Sequence, residues 1–265
     1  MTSVSMMNMN SYNDHMKFIR YSTALRINRG SDDAAGLAIS EKMRAQVRGD
    51  QAAIRNMGIS QAMTRTAEGA LSQSHSVLQR MRELSIQANN SLLTESDRSH
   101  LQREFDGLRD TLNAIGRDTQ FNTKPLLDDS FSSQRTTTGA DGSSVEMNIT
   151  SALASHLGNQ ETGATIADID LGNNPSEALA TIDMAITQIS NSRGNLGAFD
   201  NRLNHAINVT ETKSLNTQAS ESRIRDADLA KNATELQKMQ IMQQAYFMTQ
   251  RLGIGMTGMN INLIR

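Results

Sequence analysis

The chain has 265 residues and a formal charge of −2, a near-neutral balance that gives no electrostatic reason to expect nucleic acid or an anionic membrane as a partner. It contains no cysteine, which excludes disulfides, thiol catalysis and thiolate metal sites. With no tryptophan and 3% aromatic residues, a broad core filled by large rings is excluded too, and the Leu, Ile, Met and Ala that remain suit narrow helix seams. No apolar run approaches the roughly 20 residues needed to span a bilayer. The opening Met1 to Asn8 lacks a basic region followed by an apolar one, so it does not read as a cleaved secretory signal.

In chain order, Met9, Tyr12, Met16, Ile19 and Thr23 are spaced 3, 4, 3, 4, the alternation of a coiled-coil seam. Asn28 to Ser31 breaks it. A longer register follows at Met63, Ala67, Ala70, Ser74, Val77, Met81, Leu84 and Ala88. One helix over 34–90 would be on the order of 85 Å long, a length that suits a bundle or filament. Asn89 to Ser91 ends that helix and Thr94 to Asp97 caps the next, whose face is Leu101, Phe105, Leu108, Leu112 and Ile115, closed by Gly116.

Residues 119–129 read as irregular. The two prolines, Pro125 and Pro175, bracket the one stretch without helical patterning, since proline inside a helix costs about 3 kcal/mol. Within it Gly139 to Gly142 reads as a turn and Val145 to Thr150 as a strand, enough for a hairpin or two. Asn174-Pro175-Ser176-Glu177 is a strong helix start, followed by an apolar face through Leu179, Ile182, Ile186, Ile189, Leu196, Phe199, Leu203 and Ile207. Polar Thr210 to Ser222 interrupts this seam. A last helix, from about Arg225 to Leu252, carries Leu229, Leu236, Met239, Met242, Tyr246 and Met248. Ten of the sixteen methionines lie in the first 16 and last 27 residues, and this clustering of an adaptable side chain suggests that the two ends share one interface.

The predicted fold is mostly α: a long antiparallel helical bundle or coiled coil, formed by the N- and C-terminal halves, with a small β-hairpin insert. Asp32-Asp33-Ala34-Ala35-Gly36-Leu37-Ala38-Ile39-Ser40-Glu41-Lys42-Met43-Arg44, with Leu25 to Asn28 before it, closely resembles bacterial flagellin. The likeness continues through Thr66 to Leu71, Leu78 to Leu84, Thr119 to Asn122, Asn201 to His205, Glu221 to Asp228 and Asn262 to Arg265. Two stretches depart from the family's habit: a shortened, divergent run before Leu25 and the glycine-rich Gly253 to Ile261.

The resemblance implies a structural subunit that polymerises outside the cell into the flagellar filament used for swimming. Its implied domains are 1–31 as an N-terminal inner-tube helix, 32–129 and 174–224 as the two parts of an outer-tube rod, 130–173 as a small β insert and 225–265 as a C-terminal inner-tube helix. Met9, Tyr12, Met16, Ile19, Met239, Met242 and Met248 would then serve subunit assembly. The cluster Glu221, Arg223, Arg225, Asp226, Asp228 and Lys231 reads either as a solvated face with i,i+4 pairs such as Glu221 with Arg225, or as a subunit contact; the resemblance favours the contact. Arg80, Leu84 and Glu104 match positions that contact the Toll-like receptor for flagellin, with Arg80 and Leu84 one turn apart as an arginine fork beside an apolar anchor.

Implied partners are further copies of the chain, hook-associated and cap proteins, a flagellar export chaperone and the export apparatus, which would carry the chain out unfolded with its N-terminus uncleaved. A hook–filament junction protein is the nearest alternative; a cytoplasmic helical adaptor is a more distant one.

Catalysis finds no support. Gly253-Ile254-Gly255-Met256-Thr257-Gly258 has the spelling of a dinucleotide loop but follows a helix where such a loop needs a strand, so it reads as a flexible helix stop. His15, His75, His100, His156 and His205 show no metal spacing. Asp32-Asp33 suits capping of a helix start better than acid–base chemistry, and Asp128-Asp129 point apart. No cofactor is expected.

Overall fold

The computed structural model describes residues 16, 18–131, 134–159 and 163–262, with burial for all of these except 243, 246 and 250–262. Met9, Tyr12 and His15 lie outside the described residues, as does the burial of Tyr246. The chain divides into two compact units, one of residues 1–47 and 214–265, the other of Arg48–Lys213.

Four long helices run in the order α1 (Ala34–Ala88), α2 (Glu95–Asp118), α3 (Pro175–Arg225) and α4 (Leu229–Asn262). In the Arg48–Lys213 unit, α1 presents Asp50, Ala53, Met57, Ser60, Thr64, Ala67, Leu71, Ser74, Leu78, Met81, Ser85 and Ala88, all buried, in an unbroken 3-4 alternation. This seam keeps Ala67, Ser74, Met81 and Ala88 of the sequence reading but takes Leu71 and Leu78 in place of Ala70 and Val77, which sit half-buried at its edge. Its hydroxyls are paired within the fold. Ser74 and Ser85 donate to the carbonyls of Ala70 and Met81 one turn back, and Thr64 does the same to Ser60, so polar residues enter the seam without leaving a donor unpaired.

On α3, Ala178, Ile182, Ala185, Ile189, Ser192, Leu196, Phe199 and Leu203 form the facing seam. Gln61 on α1 donates to Asn204 on α3, and about six turns on Arg82 donates to Asp183, so the two helices run antiparallel. Between them α2 inserts Phe105 and Leu112. Its start is a capping box: the Asp97 N–H donates to the Thr94 hydroxyl while Thr94 N–H donates to the Asp97 carboxylate. Gly116 does not close α2, which runs on to Asp118; the glycine is buried because Leu153 packs where a Cβ would stand, 2.9 Å away.

Polar Thr210 to Ser222 lies within α3, ahead of the break expected near Arg225. Helix continues to Arg225, and Thr210 is drawn into the unit by donating to the Thr138 carbonyl at 3.0 Å. The glycines at 253, 255 and 258 fail to stop α4, whose backbone is helical to Asn262; glycine weakens a helix by about 1 kcal/mol relative to alanine, far less than proline.

Three antiparallel strand pairs complete the unit: β1 (Gln120–Phe121) with β2 (Lys124–Pro125), β3 (Gln134–Thr137) with β4 (Ser144–Met147), and β5 (Gly158–Asn159) with β6 (Ala164–Thr165). The first lies in the stretch read as irregular. Its two-residue turn uses Asn122 (φ 50°) and Thr123 (φ 64°), and a threonine in the left-handed region carries no hairpin signal in sequence. The β3–β4 turn falls at Gly139 to Gly142, as expected, and is seated from α1: Asp50, fully buried, accepts from Ala140 N–H at 3.1 Å and lies 3.5 Å from the Lys213 ammonium. Ser60 and Thr136 share a buried hydrogen bond of 2.7 Å. Leu126, Leu127, Met147, Leu157, Ile166 and Leu171 are all buried, so the segment between α2 and α3 closes one side of the helical core.

Candidate assembly surface

The unit of residues 1–47 and 214–265 is built around a junction between α3 and α4. Residues 18–23 are helical; Ala24 then adopts φ 57°, and Leu25 forms an antiparallel bridge with Asp226. Arg26 N–H donates to the Arg225 carbonyl at 2.7 Å and its guanidinium to the Ile224 carbonyl at 2.6 Å, while Ala227 N–H donates to the Ala24 carbonyl at 3.0 Å. The two Arg26 bonds take up carbonyls that the end of α3 would otherwise leave unpaired. Asp228 restarts the helix by accepting from Lys231 N–H.

The charged cluster is arranged differently from the i,i+4 expectation. Arg225, 11% exposed, reaches Glu41 on α1 at 2.5 Å, and Glu221 lies 3.9 Å from Arg44, which also pairs with Glu41 at 3.3 Å. The Arg225 hydrogen bond, seconded by Arg44, holds the Glu41 carboxyl below its ordinary range. Asp226 accepts from the Ser222 hydroxyl and Arg223 is exposed. Sequence reasoning missed Glu41 and Arg44 as partners, although both stand three residues apart in the quoted Asp32 to Arg44 run. At the start of α1, Asp33 accepts from Gly36 N–H at 2.8 Å, the capping role expected. Burial tends to raise the Asp32 pKa, but the N–H groups of Asn28 and Arg29 and the Arg20 guanidinium outweigh it and hold the carboxyl low.

The rest of this unit exposes its apolar side chains. Met16 and Ile27 are its buried hydrophobic residues among those described, and Ile19 is half-buried. Phe18, Tyr21, Ile39, Leu215, Leu229, Ile241, Met242, Phe247 and Met248 all face solvent, with Met239 half-buried. Successive helix residues turn by about 100°, so Ile241 and Met248 share one stripe of α4 while Met242 and Phe247 flank it on opposite sides. A helix apolar on three sides belongs inside a core, and among the α4 residues whose burial is described no hydrophobic side chain is buried.

In the other unit, Arg80 lies on the surface of α1. Its Nε and Nη2 donate to one oxygen of Glu104 on α2 at 3.0 and 2.7 Å, and its Nη1 donates to Glu83 at 2.9 Å. The hydrogen bond to Glu104, followed by that to Glu83, raises the guanidinium pKa. Leu84 is not beside this fork as an exposed anchor. It is fully buried in the core beneath. Among the described residues no group of three or more His, Asp or Glu is placed to hold a metal ion.

Residues 1–132 match the family described as bacterial flagellin N-terminal helical region, and 179–253 match the bacterial flagellin C-terminal helical region. The flagellin of Halalkalibacterium halodurans is 44% identical over 227 residues, covering 85% of this chain and 82% of that one. The chain belongs to the bacterial flagellin family. The flagellin of Bacillus subtilis is 39% identical (85% and 84% covered), and flagellar filament core protein flaB2 of Brachyspira hyodysenteriae is also 39% identical (84% and 82% covered). Among solved structures, a putative flagellar hook-associated protein from Vibrio parahaemolyticus superposes with a TM-score of 0.58 at 17% identity, over 74% of this chain and 100% of that one. FliC from Burkholderia pseudomallei superposes at 0.50 with 19% identity, over 54% and 99%. At these identities both likenesses concern the fold alone. As a flagellin the chain is a structural subunit that polymerises into the bacterial flagellar filament, and no helix among its described residues is long and apolar enough to cross a membrane.

Proposed function

We propose that the apolar surface of α4, together with Phe18 and Tyr21, is where one copy of this flagellin joins the next. The observation that carries this reading is the imbalance within residues 1–47 and 214–265, where among the described residues Met16 and Ile27 are the buried hydrophobic side chains while Phe18, Tyr21, Ile241, Met242, Phe247 and Met248 are exposed. Burying one such side chain is worth about 1.5–3 kcal/mol, and helical symmetry repeats the gain around every subunit. Met239, Met242 and Met248 belong to this surface, and the family resemblance assigns Met9, Tyr12, Met16 and Ile19 to subunit assembly as well. Glu221, Arg223, Arg225 and Asp226 flank it, the pairs of Glu221 and Arg225 to α1 setting the direction in which α4 leaves α3.

On the same reading, segments 1–31 and 225–265 supply the inner tube, 32–129 and 174–224 the outer rod, and 130–173 the small insert. The chain is exported unfolded, and the absence of cysteine suits a protein that must not cross-link on the way. An export chaperone shields α4 until then, and hook-associated and cap proteins bound the growing filament. The test is seeded elongation of purified protein, followed by negative-stain electron microscopy. Wild type gives long uniform tubes, whereas Ile241→Asp remains monomeric with an unchanged circular dichroism spectrum; tubes from the variant overturn the proposal.

The Arg80, Glu83 and Glu104 patch is the surface offered to the Toll-like receptor for flagellin, supported by the family motif and by its exposure. Leu84 acts there by seating the helix. Arg80→Ala monomer loses receptor activation while keeping its stability, and undiminished activation excludes the assignment.

A further inference from the structure

With neither cysteine nor tryptophan in the sequence, the side chains most readily oxidised by peroxide are the methionine thioethers. Among the residues whose burial is described, the fold separates two groups of them, with Met43, Met63 and Met239 half-buried between. Met57 and Met81 are fully buried, and Met147 is 2% exposed with its sulfur accepting the Thr64 hydroxyl at 3.5 Å. Met242 and Met248, in contrast, are 56% and 68% exposed on α4, and Met184 on α3 is 44% exposed.

We propose that Met242 and Met248 form an oxidation site that controls whether a subunit can join the filament, an inference that rests on the assembly reading of α4. The reaction is a two-electron oxygen transfer from hydrogen peroxide. The sulfur lone pair attacks one peroxide oxygen, the O–O bond breaks, an S–O bond forms, and the departing hydroxide takes up the displaced proton as water; sulfur is oxidised and peroxide reduced. The product sulfoxide is a polar, chiral acceptor where an apolar and adaptable side chain stood. Buried between copies without a donor opposite, that oxygen is unsatisfied and disfavours assembly. Once a subunit has joined, the same burial excludes peroxide, so free subunits are oxidised and filament is spared. Methionine sulfoxide reductases restore the thioether with two electrons and two protons from a dithiol, which becomes a disulfide as the oxygen leaves as water, and this makes the switch reversible.

The experiment treats full-length monomer with graded hydrogen peroxide, maps sulfoxides by peptide mass spectrometry and measures seeded elongation. Met242 and Met248 are expected to gain oxygen well before Met57, Met81 and Met147, with elongation slowed by about tenfold and recovered after treatment with methionine sulfoxide reductases. The double variant M242L/M248L is compared only with itself. Its elongation is expected to be slowed by peroxide far less than wild type's even though Met184 still oxidises. Sulfoxides at 242 and 248 with undiminished elongation overturn the proposal, as does equal oxidation of the buried methionines or a double variant slowed by peroxide as much as wild type. Met242→Glu separates the two readings. Normal elongation by this variant removes α4 from the interface and takes the proposal with it, whereas blocked elongation beside unimpaired oxidised wild type overturns the oxidation site alone.

Discussion

Leu84 has no exposed surface, while Arg80, one turn earlier on α1, keeps 45% of its side chain in solvent. Their substitutions therefore separate fold from surface. Leu84→Ala leaves a cavity among well-packed neighbours and should lower stability by about 2–5 kcal/mol in a urea titration; Arg80→Ala breaks exposed ion pairs and should leave the midpoint near that of wild type. The motif containing both residues was legible in sequence, but spacing alone placed them on one face without saying that the face was half core. Asp97 gives a second test at this scale. The Thr94 hydroxyl, then its N–H, hold the Asp97 carboxyl below its ordinary 3.8. A depressed folded pKa adds stability that is complete above the ordinary value and lost as pH falls through the lower folded one. Amide exchange at residues 95–98 should accordingly quicken with acid below about pH 4 relative to the rest of α2, and Asp97→Asn should exchange fast at neutral pH without that dependence. Acid-independent protection in wild type contradicts the capping account.

For the elements, proline placement and apolar spacing indicated long helices at both ends, the Thr94 cap, the Pro175 start and the Gly139 to Gly142 turn. The α1 register was read through Ala70, Ser74 and Val77. Ser60, Thr64 and Ser85 also occupy the true seam, satisfied by bonds that a sequence pattern does not display. The burial of Thr210 on α3 was hidden for the same reason, since its partner, the Thr138 carbonyl, lies far away in sequence. Strand pairing was legible where glycine marked a turn and silent where Asn122 and Thr123 did. Gly158 is a position where the element depends on one residue: its φ of 147° favours glycine, and a Cβ would stand 2.3 Å from the Ala164 carbonyl oxygen. Gly158→Ala should destabilise by more than about 1 kcal/mol, reversing the gain of about 0.4–1 kcal/mol that this change brings at compatible sites. A thermal midpoint equal to wild type would show that β5 and β6 tolerate the side chain.

Taken whole, the molecule keeps two kinds of apolar surface. Residues 48–213 bury theirs around α1, α2 and α3, which gives this part a core independent of assembly. Residues 1–47 and 214–265 bury Met16 and Ile27 among those described and leave Phe18, Tyr21, Ile241, Met242, Phe247 and Met248 outward. The prediction at this scale is that urea unfolding of monomer should be cooperative for signals from residues 48–213, while α4 shows little protection in hydrogen exchange until the filament forms. Full protection of α4 in the monomer would mean that its apolar face is already covered. The most direct test is a helical reconstruction of filament polymerised from this chain, resolved to side chains. The account predicts Ile241, Met242, Phe247 and Met248 packed between neighbouring copies; a filament in which these four residues remain in solvent contradicts it.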